Sequence, residues 1–69
     1  MALIARTRFH LIMFDYDDKN KKYHLDKIKE LIDIISEFTG QMFNPKLTQQ
    51  MGELVAEYNL RENLLKGLV

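Results

Sequence analysis

The most regular pattern of apolar and polar residues lies between residues 25 and 38. At about 100° per residue, as in an α-helix, the apolar side chains fall on one half of the cylinder and the polar side chains on the other, except for Lys27 at the edge of the apolar half. The apolar half holds Leu25, Ile28, Leu31, Ile32, Ile34, Ile35 and Phe38. Packing on one neighbouring helix requires a stripe of only about 100°. The pattern therefore predicts a helix over about residues 24–39 with two packing partners.

The N-terminal segment shows a different period. In an extended chain, one side would hold Ala5, Thr7, Phe9, Leu11 and Met13. The other side would hold Arg6, Arg8 and His10, followed by Ile12 and Phe14. Alternation with a period of two, in a segment rich in β-branched and aromatic residues, favours a β-strand. The pattern predicts a strand over about residues 3–14, with a helix as the alternative for so short an apolar run.

A single strand would leave the backbone N–H and C=O groups of residues 3–14 without partners, which is costly unless they face water. The sequence contains no second strand candidate. We therefore expect this strand to pair with the same strand of a second copy, as an antiparallel ribbon across a two-fold axis. The predicted fold class is α+β and mostly helical, in the order strand, helix, helix (β-α-α). The alternative is an all-α three-helix bundle.

Polar and helix-breaking residues separate the predicted elements. Residues 15–22 are charged or polar except for Tyr16, and they predict a solvated loop, while Gly40 is typical of a helix end. Asn44 and Pro45 are typical of a helix start, as the cap and the first helical residue. A second helix is predicted over about residues 45–66, packed antiparallel on the first. Its apolar row holds Leu47, Met51, Leu54, Tyr58, Leu65 and Leu68, with Arg61 in the same row.

The 69 residues predict one small domain, 1–69, and they include no cysteine. Disulfides and thiolate metal sites are therefore excluded, and the composition fits a reducing cytoplasm. A single core in so short a chain contributes only about 3–5 kcal/mol. We therefore expect oligomerisation to supplement it.

Ten basic and ten acidic residues give a net charge of zero. This balance favours self-association and argues against binding nucleic acid by bulk electrostatics alone. No apolar run approaches the roughly 20 residues of a membrane span, and the start does not have the pattern of a signal peptide. We expect a cytoplasmic protein with no membrane partner.

The first candidate site consists of Arg6, Arg8 and His10 on one side of the predicted strand. A two-stranded β-ribbon fits the major groove of DNA, and arginines on its outer face can contact guanine edges. The order strand, helix, helix in a chain of this size resembles that of the ribbon-helix-helix repressors. The resemblance implies a dimeric DNA-binding protein with these three side chains on the DNA. The other interpretation is a solvated strand face.

The residues give little support to catalysis. The chain has no cysteine nucleophile, and Ser36, the sole serine, falls on the polar side of the predicted helix. The two histidines lack a metal-ligand spacing. Gly40, Gly52 and Gly67 are too far apart for a phosphate-binding loop. We expect no enzymatic activity, no metal and no cofactor.

The apolar side chains exceed what a hairpin of two helices can bury, and such a surplus normally marks an interface. The residues expected at an interface are Phe9, Leu11, Met13, Ile34, Phe38, Met42, Phe43, Leu60 and Leu64. The interpretation that follows is a small regulatory or inhibitor-type protein that acts through protein–protein interaction as a homodimer. The alternative function is that of a ribbon-type DNA-binding repressor.

Overall fold

The structure is a computed structural model of the chain, and it describes residues 2–41 and 44–67. These residues form helix α1 (Ala2–Tyr16), helix α2 (Lys21–Gln41) and helix α3 (Pro45–Gly67). A short 3₁₀ turn, Asp18–Asn20, lies between α1 and α2. The prediction of an α+β fold is therefore wrong. The architecture agrees with the alternative, an all-α three-helix bundle.

The segment predicted as a strand over residues 3–14 is part of helix α1. Its buried side chains, Ile4, Thr7, Leu11 and Phe14, recur at helical spacing and share one face. A helix satisfies its backbone N–H and C=O groups within the segment, whereas a lone strand would need a second chain to do so. Residues 2–41 and 44–67 contain no strand that could pair across a two-fold axis.

The predicted loop over residues 15–22 is mostly helical, and a tight corner joins α1 to α2. Asn20 Nδ2 donates to both carboxylate oxygens of Asp17, at 3.2 and 3.0 Å. Lys21 Nζ donates to the carbonyl oxygen of Phe14 at 2.6 Å, in the last turn of α1, where carbonyl groups lack helical partners. The same ammonium group lies 4.5 Å from the centroid of the Phe14 ring. These contacts return the chain so that α2 packs along α1.

Asn44 caps the start of α3, as the sequence predicts. Its Oδ1 accepts hydrogen bonds from the backbone N–H groups of Lys46 at 3.1 Å and Leu47 at 3.4 Å. These are two of the donors that have no helical partner in a first turn. At the other side of this connection, α2 continues through Gly40 to Gln41. Gly40 does not adopt a positive φ, so α2 does not end there in the left-handed conformation that glycine favours at a helix end.

The core lies where the three helices meet. Helix α2 packs against both α1 and α3, whereas α1 and α3 contact each other over a shorter stretch. The core cluster holds Ile4 and Leu11 of α1, Ile28, Ile32 and Ile35 of α2, and Leu47 and Leu54 of α3. The broad apolar half of α2 is thus divided between two neighbouring helices.

Candidate functional site

Arg6, Arg8 and His10 do not share one surface. Arg6 and His10 lie on the side of α1 that faces α2, where they line a shallow depression together with Tyr23 and Lys27. Arg8 lies on the side that faces α3 and lines a separate groove. In a helix, alternate residues point in different directions. The ribbon on which the DNA-binding hypothesis rested is absent from residues 2–41 and 44–67.

The residues expected at an interface are divided between the core and the surface. Leu11 belongs to the core cluster with 6% of its surface exposed, so it is not accessible to a partner. Met13 is half-buried. The exposed members are Phe9, Ile34, Phe38, Leu60 and Leu64, which lie on three different helices. Met42 and Phe43 lie outside the described residues.

Helix α1 carries apolar side chains on the face opposite the core. We call the exposed residues Ala5, Phe9, Ile12 and Tyr16 the outer α1 face. The exposed fractions of Phe9, Ile12 and Tyr16 are 54%, 56% and 82%. Their spacing, alternately four and three residues, aligns them in one row along the helix. The outer α1 face is therefore an exposed apolar row on the side of α1 that faces away from the core.

A groove runs beside this row, between α1 and α3. Its first part has a volume of about 690 Å³, and its apolar border includes Ile4, Phe9, Ile12, Phe38 and Leu47. A second part of about 400 Å³ is lined by Arg8, Leu11, Ile12, Glu53, Leu54 and Glu57. The two parts share Arg8 and Ile12. The outer α1 face and this groove therefore form one continuous, mainly apolar surface with charged borders.

Two histidines and an aspartate form a hydrogen-bonded chain where α1 meets α2. His10 Nδ1 lies 3.0 Å from His24 Nδ1, and His24 Nε2 lies 3.1 Å from Asp17 Oδ2. An ionised carboxylate only accepts, so His24 Nε2 carries a hydrogen. One of the two Nδ1 atoms then donates to the other, so the two rings cannot both be fully protonated while this contact is kept.

The surroundings of this cluster lower the pKa of two of its members. Burial is the main cause that lowers the pKa of His10, and the neighbouring His24, Lys27 and Arg6 lower it further. The hydrogen bond from Asn20 is the main cause that lowers the pKa of Asp17, followed by the hydrogen bond from His24. No local sequence pattern identifies this cluster, because its members meet only when α1 and α2 pack together.

The described residues offer few other chemical groups. Within residues 2–41 and 44–67, no group of three or more His, Cys, Asp or Glu side chains could hold a metal ion. In the same part of the chain, no helix has both the length and the apolar character needed to cross a membrane. Ser36 is exposed on α2. No protein-family model, curated protein or solved structure matches this chain.

Proposed function

We propose that the protein is a small, non-enzymatic regulatory or inhibitor-type protein that acts by binding another protein chain through the outer α1 face. The observation that carries the proposal is the position of Phe9 and Ile12, which are more than half exposed on a helix whose other side is already buried. Burying apolar surface contributes about 25 cal/mol per Å². A complex in which another protein chain covers these two side chains is therefore stabilised by their burial.

The groove beside the outer α1 face supports the same proposal. An amphipathic helix binds by laying its apolar face into a groove of this kind, with anchors one turn apart. The rim is charged, with Arg8 on the α1 side and Glu53 and Glu57 on the α3 side. An apolar centre with a polar rim is the usual anatomy of a protein interface. The rim charges would set the orientation of the bound chain.

The non-enzymatic part of the proposal rests on the residues themselves. The chain has no cysteine, and its sole serine, Ser36, is exposed on a helix with no hydrogen-bonded base beside it among the described residues. The chain of Asp17, His24 and His10 ends on an imidazole instead of a hydroxyl or thiol nucleophile. The cysteine-free composition supports the cytoplasm as the compartment that we propose.

Site-specific photocrosslinking in the producing cells tests the proposal. Benzoylphenylalanine replaces Phe9 or Ile12 in one pair of variants, and Lys29 or Asp33 in the matched control pair. The control positions are exposed on the polar side of α2. We expect protein crosslinks from the first pair and only background from the second. Equal crosslinking from both faces, or none from folded variants at Phe9 and Ile12, would contradict the proposal.

A further inference from the structure

We propose that the occupant of the outer α1 face is a second copy of this chain, held by an antiparallel contact between the two α1 helices around a two-fold axis. This inference rests on the proposed function, because it names the partner of the same surface. The dimer expected from the sequence would have used paired strands. The dimer inferred from the structure uses paired helices.

The outer α1 face has the spacing of a coiled-coil seam, with Ala5 and Ile12 at one type of core position and Phe9 and Tyr16 at the other. In an antiparallel pair, the two types of core position face each other. Phe9 of one copy then packs against Ile12 of the other, and Ala5 packs against Tyr16. The small Ala5 leaves room for the large Tyr16 ring, so the layers of the seam are filled to similar extents.

The charges along the edge of this row are complementary in the antiparallel register. Arg8 and Asp15 each precede a seam residue, Phe9 and Tyr16, so they lie on the same edge of α1. Antiparallel pairing brings equivalent edges together, so Arg8 of one copy lies beside Asp15 of the other, once on each side of the axis. Arg8 makes no ion pair with any residue in 2–41 or 44–67. The Asp15 side chain is 48% exposed, so it can accept a second cation beside Arg61.

A parallel pair of α1 helices lacks this complementarity. In that arrangement Arg8 lies beside Met13 of the other copy, because each edge then faces the opposite edge of the partner. The charges therefore favour the antiparallel register. The net charge of zero also means that no overall repulsion opposes self-association.

The length of the contact sets the expected strength of the dimer. Helix α1 has 15 residues, which corresponds to about 22 Å at about 1.5 Å per residue. Phe38 of α2, 41% exposed and on the same groove as Phe9, enlarges the apolar patch. The surface area that one helix pair buries is still small compared with the roughly 1,600 Å² of a standard interface. We expect a dimer that dissociates on dilution.

Sedimentation equilibrium of the full chain, from micromolar to millimolar concentration, tests the inference with two charge reversals. In a dimer of Arg8→Asp chains, the acidic side chain at position 8 of each copy faces Asp15 of the other copy. In a dimer of Asp15→Arg chains, the basic side chain at position 15 of each copy faces Arg8 of the other copy. We expect each variant alone to dimerise roughly tenfold more weakly than the wild type. A mixture of the two variants places opposite charges at both sites, so dimerisation should recover most of the loss. The recovery is incomplete because Asp15→Arg also removes the ion pair between Asp15 and Arg61 within one chain.

The mixture separates an interface effect from a folding defect, because a misfolded chain is not repaired by a different substitution in another chain. A second pair of variants tests the apolar seam. Ile12→Glu should abolish the dimer, whereas Ile34→Glu, at a similarly exposed isoleucine on α2, should leave it intact. Circular dichroism checks that each variant is helical.

A wild-type mass that stays at a single chain over the whole range would overturn the inference. A dimer that neither charge reversal weakens would overturn it as well. A monomer whose outer α1 face crosslinks to a different protein would remove the second copy as occupant and keep the proposed function. A dimer unaffected by Ile12→Glu, together with no crosslinks from the outer α1 face, would contradict both.

Discussion

Arg61 of α3 donates a hydrogen bond from Nε to the carbonyl oxygen of Leu11 in α1, at 3.2 Å. The same guanidinium reaches Asp15 Oδ2 at 3.0 Å and the carbonyl oxygen of Glu57 at 3.1 Å. The Arg61 side chain is only 12% exposed. These contacts explain a charged residue in the otherwise apolar row of α3, because Arg61 joins α3 to the last turns of α1.

We expect Arg61→Ala to lower the free energy of unfolding by about 1–3 kcal/mol, since it removes several charge-assisted hydrogen bonds at a largely buried position. Arg61→Lys should recover only part of this loss, because an ammonium group lacks the planar fork that reaches both partners. Urea denaturation measures both effects. Lys66→Ala is the control, because Lys66 is 72% exposed and pairs with Glu62 at 3.6 Å, and it should change stability by less than about 0.5 kcal/mol. Equal losses at Arg61 and Lys66 would contradict the structure.

The contact between His10 and His24 predicts that stability decreases in mild acid. The folded protein holds the pKa of His10 below its ordinary value of 6.5, first by burial and then through His24, Lys27 and Arg6. The unfolded chain therefore binds this proton more readily than the folded chain. The contribution of the neutral His10 ring to the free energy of unfolding is fully present above a pH of about 6.5. It decreases as the pH falls from there toward the lower pKa of the folded state.

Urea denaturation over a pH series, with NMR titration of the His10 ring, measures this dependence. Asp17 acts in a lower range, because its depressed pKa gives stability that is present above about 3.8 and lost as the pH falls through its folded value. His10→Gln keeps a donor for His24 but removes the titrating ring, so its stability should change less in mild acid. A His10 ring that titrates at or above 6.5 in the folded protein would contradict the prediction.

Ile28 and Ile34 are the same residue type on the same helix in opposite surroundings. Ile28 has no exposed surface, whereas Ile34 is 49% exposed. We expect Ile28→Ala to lower the free energy of unfolding by about 2–5 kcal/mol, through lost burial and the cavity it leaves. Ile34→Ala should cost less than about 1 kcal/mol. Chemical denaturation at low protein concentration compares them, and a comparable cost at Ile34 would contradict the exposure of its side chain.

Gly52 is exposed to solvent and lies away from the ends of α3. A Cβ added at Gly52 meets no atom within 4 Å. Its φ is not positive. We expect Gly52→Ala to raise the free energy of unfolding by about 0.5–1 kcal/mol, because alanine favours the helix and restricts the unfolded chain. The reverse substitution at an exposed position of the same helix, Ala56→Gly, should lower it by a similar amount. Thermal unfolding measures both, and a loss of stability from Gly52→Ala would contradict the open space beside Gly52.

Only part of the candidate site follows from the sequence. Phe9 was expected at an interface and lies on the outer α1 face, but Ile12 and Tyr16, its neighbours in the row, were not expected there. Leu11 was expected beside Phe9, because a strand would place them on the same side. In the helix they lie on opposite sides, and Leu11 is buried. The wrong period thus groups Phe9 with Leu11, whereas the helix separates them.

The sequence by itself determined helices α2 and α3. The predicted ranges, about 24–39 and about 45–66, lie within Lys21–Gln41 and Pro45–Gly67. In the predicted α2 range the apolar and polar residues separate at helical spacing, with Lys27 as the one exception, and Asn44 and Pro45 mark the start of α3. Such local signals depend on residues close together in the chain, so they can be recognised without the fold.

Only the tertiary structure decided the conformation and the faces of α1. Its apolar residues lie on all sides, so the pattern fits both a strand and a helix. A helix satisfies its own backbone groups, and packing on α2 selects Ile4, Thr7 and Leu11 as the buried face. The helical conformation separates Arg8 from Arg6, and the packing of α1 on α2 brings His10 to His24. These outcomes depend on contacts between residues distant in the chain, which no local pattern contains.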